Sequence, residues 1–218
     1  MIVELADVSK GRALPPTSVR FASGTVVLVE AETEQRPSVL GLIASGRMRP
    51  ATGTVTIDDA TDPRALRRRI ALIDAPSVNE PAGGVSLAGI VAEELMFAGA
   101  PASPRAVSWW LEDAGVRELS SYPIADVPPG IRVRLLLELA LLRTGVEGIV
   151  LVSPDRHGGH PEEWWSAVRK IAARGIAVLV IVGHAAVVAL EASAPATPVR
   201  RRRPRIYSPL GRSKKAAS

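Results

Sequence analysis

An α/β fold built on a mostly parallel sheet with helices on both faces is what this sequence predicts, and three observations carry the prediction. Short apolar strands alternate with helix-length segments through the second half of the chain, the order that makes βαβ units. Apolar residues form 47% of the 218 residues but aromatics only 4%. The core is therefore Val, Leu, Ile and Ala, the composition of strands buried on both faces. The composition breaks near Ala192, beyond which Ala, Pro, Ser and Arg replace any apolar periodicity. Residues 1–191 read as one domain, long enough for a substantial core. Residues 192–218 read as a basic, disordered tail.

Element by element, Ile2 to Val8 alternates as a strand, and a Pro-containing loop leads to a second strand at Thr17 to Phe21. Val26 to Val29 is a buried strand, Val39 to Ala44 opens a helix that closes near Gly46, and Gly53 introduces the strand Thr54 to Ile57. Asp62-Pro63 supplies an N-cap and a Pro at the first helical position, leading through Leu66 toward the strand Ile70 to Ile73. Helices follow at Leu87 to Phe97, Pro104 to Ala114 and Ile131 to Arg143. The chain continues with the strand Ile149 to Val152, the helix Pro161 to Ala173, the strand Ile176 to Val182 and a short helix at Ala185 to Leu190. No internal repeat is visible.

Several function classes fall away on composition. There is no cysteine, so a disulfide framework, a thiolate metal site and a thiol nucleophile are excluded. No basic-then-apolar signal peptide pattern opens the chain, and Ile176 to Val182 is too short to span a bilayer. From Ala192 onward there are eight basic residues, Arg200 to Arg203, Arg205, Arg212, Lys214 and Lys215, and no acidic one. Subtracting these eight from the net charge of +5 leaves −3 for residues 1–191. The body is mildly acidic and the tail carries the basicity. No basic fold studded with aromatics is present, so sequence-specific nucleic-acid reading is not expected.

The segment between the strand at Val26 and the helix at Val39 stands where a phosphate-binding loop would sit. It reads Glu30, Ala31, Glu32, Thr33, Glu34, Gln35, Arg36, Pro37 and Ser38. Such a loop needs glycines for close backbone approach, a Lys for the phosphates and a hydroxyl for Mg²⁺. Here glycine is absent and three carboxylates would face a polyanion. Around this loop, other strings occur in a definite order. They are Val8-Ser9, Gly24, Leu42 to Ala44, Arg49 to Asp58, Arg67 to Ile73, Arg132 to Leu135, Ala140 to Arg143, Leu151 to Pro154 and Val178 to His184. In that order, over roughly residues 2–190, they resemble the nucleotide-binding domain of ABC transporters. The resemblance implies a P-loop-type α/β fold.

It also implies where the family's chemistry would lie. The Walker A segment falls on Glu30 to Ser38, with Arg36 at the lysine position and Pro37 and Ser38 at the hydroxyl positions. Arg36 has a planar fork that does not replace a compact ammonium. The Q-loop glutamine falls at Asp74 or Ala75. The signature falls on Val127, Pro128, Pro129, Gly130 and Ile131, where one glycine survives and Pro128 stands for the serine. The Walker B aspartate becomes Val152, the catalytic glutamate becomes Ser153, and only His184, at the switch-histidine position, matches the family. No aromatic follows Ser9 to stack on adenine. The resemblance is thus to a degenerate member, a pseudo-ATPase with no nucleotide or Mg²⁺ cofactor expected. It would act in the cytoplasm, peripherally at the inner face of the membrane, as partner of a membrane transport subunit or a second ABC-type domain. Two alternatives stand beside it: a divergent ATPase still binding Mg·ATP through Arg36, Ser38 and His184, and a cytosolic adaptor that reuses the fold.

Other features have plainer readings. His157, His160 and Glu162 lie in a Gly-rich loop after a strand end, but His-x-x-His without a fourth ligand predicts no metal site. In the family frame this loop is a contact region between two nucleotide-binding domains. The pairs Trp109-Trp110 and Trp164-Trp165 read as helix anchors, with one ring of each pair turned outward. The Arg run 200–203 reads as a solvated tail that could engage an anionic membrane surface.

Overall fold

The computed structural model describes residues 1–32 and 36–193. The expected tail lies outside the described residues, apart from Ala192 and Ser193. The chain runs β1 (Ile2–Lys10), β2 (Leu14–Ala22), β3 (Val26–Glu30), α1 (Arg36–Ala44), β4 (Thr52–Ile57), α2 (Pro63–Arg69) and β5 (Ile70–Ile73). It continues with α3 (Leu87–Phe97), α4 (Pro104–Asp113), α5 (Pro129–Leu141), β6 (Gly148–Val152), α6 (Pro161–Ala173), β7 (Ala177–Val182) and α7 (His184–Ser193).

Two sheets form. The parallel one has the order β3-β7-β6-β5, and a separate antiparallel one has the order β2-β1-β4. The split follows from burial pattern. Every residue of β5, β6 and β7 is buried, as continuous apolar runs require in a sheet covered on both faces. In β1 and β2, buried positions are interspersed with exposed ones, which suits a sheet with one wet face. A three-residue turn between β1 and β2 leaves antiparallel pairing as the available geometry.

The parallel sheet sends alternate side chains into two cores. Val150, Val152, Leu179 and Ile181 pack with Leu40 and Ile43 of α1 and with Val3, Leu5 and Phe21 of the antiparallel sheet. Ile149, Leu151, Val178 and Val180 pack with Leu135, Leu139, Trp164 and Val168 of α5 and α6. Helices therefore cover both faces.

Helix α1 lies close to the sheet because of Gly41, where a Cβ would stand 2.8 Å from Val152 Cγ2 and 3.1 Å from Leu72 Cδ1. It ends at Gly46, whose φ of +70° is the left-handed stop that glycine adopts without strain. Asp62 caps α2 by accepting from the Arg64 and Ala65 amides at 2.8 and 3.0 Å. At the other end of α2, Arg69 grips Glu147 with two bonds of 2.8 and 2.7 Å. That fork sets the start of β5 beside the start of β6.

Helix α5 starts at Pro129, two residues before the apolar pattern, because proline needs no amide partner in a first turn. Helix α7 starts at His184 and extends through Ser193, two residues beyond the domain limit read from composition. Among the described residues, no helix is long and apolar enough to cross a membrane.

Candidate functional site at the strand ends

All four parallel strands end on one edge of the sheet, where Glu30 lies opposite Val182, Val152 opposite Ile181, and Ile73 opposite Leu151. The segments that follow the strands therefore converge there, the usual place for a ligand in such sheets. They are residues 30–32 after β3, 74–80 after β5, 153–157 after β6, and Gly183-His184 after β7.

After β3, the Ala31 amide donates to Val182 O at 2.9 Å and holds the chain beside β7. Glu32 Oε1 then accepts the His184 amide at 2.6 Å. Glu30 Oε1 lies 3.2 Å from His184 Nδ1, and Asp155 Oδ2 accepts the Gly183 amide at 3.1 Å. The chain's own carboxylates occupy the N-terminus of α7, where unpaired amides and the helix dipole favour negative charge. Arg36 opens α1, and its Nε is buried with no hydrogen-bond partner among the described residues. Pro37 and Ser38 are buried, and Ser38 Oγ donates to Pro76 O at 3.1 Å. Thr33, Glu34 and Gln35 lie outside the described residues.

After β6, Val152 is wholly buried with its side chain toward α1, and Ser153 takes a left-handed φ of +47°. The Ser153 amide is tied to Ile181 O at 2.7 Å. The segment Val127 to Ile131 leads into α5 and meets α6 at Gly130. Val127 is buried, Pro128 precedes α5 without a side-chain cap, and Pro129 opens it. A Cβ on Gly130 would stand 2.5 Å from Glu163 Oε2, so Glu163 covers that turn, while Ile131 packs on the core.

The centre of this edge is a residue that sequence reading placed only as a stand-in for glutamine. Asp74 follows β5 with a left-handed φ of +57° and a fully buried side chain. Its Oδ1 accepts from Arg132 Nη2 and from Arg156 Nη2, both at 2.9 Å, and its Oδ2 lies 2.8 Å from His157 Nε2. Burial opposes its ionisation. The His157 hydrogen bond and the Arg156 and Arg132 charges outweigh burial and hold the carboxyl below its ordinary value. The available signal was Arg132 within a strongly apolar helix, because a charge that cannot reach water must be paired.

His157 is thus engaged with Asp74, while His160 precedes α6 without a side-chain cap. Among the described residues no group of three or more acidic or His side chains is placed to hold a metal. Trp109 is 61% exposed, with Arg105 stacked 4.7 Å from its ring, as expected of an outward member. The second pair departs from that expectation. Trp164 is wholly buried, and Trp165 is half-buried with its ring 6.2 Å away at 89°.

No family model and no curated protein matches the chain. Among solved structures, a dimeric bacterial ABC transporter cassette matches with a TM-score of 0.63 at 19% identity, over 86% of this chain and 90% of that one. A nucleotide-free ATP-binding cassette from an ABC transporter matches with a TM-score of 0.60 at 20% identity, covering 87% and 84%. A component of an ABC transporter complex from Clostridium perfringens matches with a TM-score of 0.58 at 15% identity, covering 84% and 78%. The chain has the P-loop-type α/β fold of ABC transporter ATP-binding cassettes.

Proposed function

We propose that this chain is an ABC-type cassette that does not hydrolyse ATP and serves as a structural or regulatory partner of a membrane transport complex. The observation that carries the reading is the filling of the strand-end edge by the chain's own side chains. Glu32 takes the amide of His184, Ser38 turns its hydroxyl to Pro76 O, and Val152 is embedded beneath α1. Phosphoryl transfer needs Mg²⁺, a cationic cradle and a positioned water. Among the described residues this edge offers Glu30 and Glu32 carboxylates and a Ser38 hydroxyl already donated to Pro76 O, a set that supports the reading of a cassette without Mg·ATP chemistry. The partner would be a membrane transport subunit or a second ABC-type domain, with the chain in the cytoplasm and peripheral at the inner face. That one fold neighbour is described as a dimer and another as part of a transporter complex supports this choice.

Calorimetry and a phosphate-release assay with Mg·ATP on the purified full chain test the reading. Neither binding heat nor turnover above background is expected. Turnover that vanishes in Arg36→Ala would refute it. One observation favours a divergent, nucleotide-binding ABC ATPase as the second reading. Arg36 keeps a buried Nε without a partner among the described residues, leaving a cation beside the loop. Binding heat that is lost in both Arg36→Ala and Ser38→Ala would establish it.

A further inference from the structure

A buried carboxylate persists only where opposite charges and hydrogen bonds meet it, and Asp74 has more partners than pairing alone requires. Arg156 spans two strand ends with one guanidinium. Its Nη1 donates to Asp74 O at 2.7 Å, Val152 O at 3.0 Å and Ser153 O at 3.1 Å. Its Nη2 reaches Asp74 Oδ1 and Glu80 Oε2, both at 2.9 Å. Arg132 brings in α5 and also donates to Ile124 O at 3.2 Å. The turn after β5 is closed from within as well. Asn79 Nδ2 donates to Leu72 O at 2.7 Å, Asn79 Oδ1 accepts the Ala75 amide at 3.0 Å, and Glu80 Oε1 accepts the Ser77 amide at 3.1 Å.

Backbone strain points the same way. Asp74, Ser77 and Ser153, on both sides of Arg156, hold left-handed φ of +57°, +58° and +47°. Non-glycine residues stay in that region only when the surroundings over-determine them.

We propose that Asp74, Arg132, Arg156 and His157 form an ionic clasp that joins the segment after β5, the segment after β6 and helix α5 in one fixed arrangement completed by the chain's own side chains. The clasp deepens the reading of a nucleotide-independent cassette and rests on it for its functional sense. A loop that must respond to a ligand is drawn from the low-stability part of a fold. Here the two loops flanking the edge are tied to each other and to the helical layer by the chain's own charges. The face they present to a partner is then constitutive.

Amide hydrogen exchange on the full chain, with and without Mg·ATP, tests the clasp. In the wild type, the Ala75, Ser77, Val78, Asn79 and Arg156 amides exchange slowly, and Mg·ATP does not change them. In Arg156→Ala, both segments accelerate together by about tenfold while β6 and β7 amides stay protected, because loss of the shared cation opens the two turns and not the core. Arg156→Lys keeps the charge but not the fork, and gives an intermediate acceleration of both. Acceleration of only one segment, or of neither, would overturn the clasp, as would wild-type turns that already exchange at the unprotected rate. Should the β6 and β7 amides also speed up in Arg156→Ala, Arg156→Lys decides, and both turns must accelerate against an unchanged core. Mg·ATP binding with both turns still protected would remove the proposed function and leave the clasp. Unprotected turns in a chain that binds no nucleotide would do the reverse.

Discussion

Asp74 shows how one residue can hold more of a site than any motif. Two guanidinium groups and an imidazole face its buried carboxylate, with Glu80 the other acid on Arg156. Asp74→Asn keeps the shape and removes the charge, leaving Arg132 buried without its counter-ion. Urea unfolding should show a loss of about 3–5 kcal/mol, the usual cost of breaking a buried pair from one side. The pH dependence follows from the direction of the shift. The carboxyl lies below its unfolded value of 3.8, so its contribution is complete above that pH and is lost as pH falls through the folded value. Unfolding midpoints should drop below about pH 3.8 in the wild type, and that component should be absent in Asp74→Asn. Val152 makes the complementary point. Its sequence position marks a missing carboxylate, but its environment is apolar core against α1. Val152→Asp is expected to cost about 2 kcal/mol or more in urea unfolding and to yield no ATP turnover.

Element by element, most of the chain was legible. β5, β6 and β7 were visible because a strand buried on both faces is written as a continuous apolar run. α2 was visible because its cap and first-turn proline adjoin in sequence. The departures are at boundaries, where backbone chemistry competes with apolar pattern, as at Pro129 and His184. The approach of α1 to the sheet was not legible. Alanine is a better helix former than glycine by about 1 kcal/mol, so propensity alone predicts that Gly41→Ala stabilises. Contact decides otherwise, because Val152 and Leu72 leave no room for the added carbon. Gly41→Ala should destabilise by about 1–2 kcal/mol in thermal unfolding, the scale of overpacking. Adding Val152→Ala should recover part of that loss, a coupling that a double-mutant cycle measures directly.

At the scale of the molecule, the charge is divided between an acidic body and a segment with eight cations and no anion. That segment lies outside the described residues, and its role is a proposal from sequence. Beside an anionic leaflet, each basic residue near the surface contributes roughly 1 kcal/mol. Exposed charges are screened over about 8 Å at physiological ionic strength. Sedimentation with phosphatidylserine-containing vesicles should show binding by the full chain that weakens sharply with salt. A version ending at Ser193 should bind little. Equal binding by both forms would leave the tail without this role.

By itself the sequence determined the alternation of strands and helices, the split of charge, and a segment from Glu30 to Ser38 that holds neither glycine nor lysine. Each of these is local: a run, a count or a short string carries it. Only the tertiary structure decided that three strands leave the parallel sheet for an antiparallel one. Only it decided that Glu32 takes the start of α7, and that Asp74 meets Arg132 and Arg156. Those partners lie 58 and 82 positions along the chain. The choice depends on β5 lying beside β6 with their ends aligned, and no local pattern encodes which strand end will neighbour a buried charge.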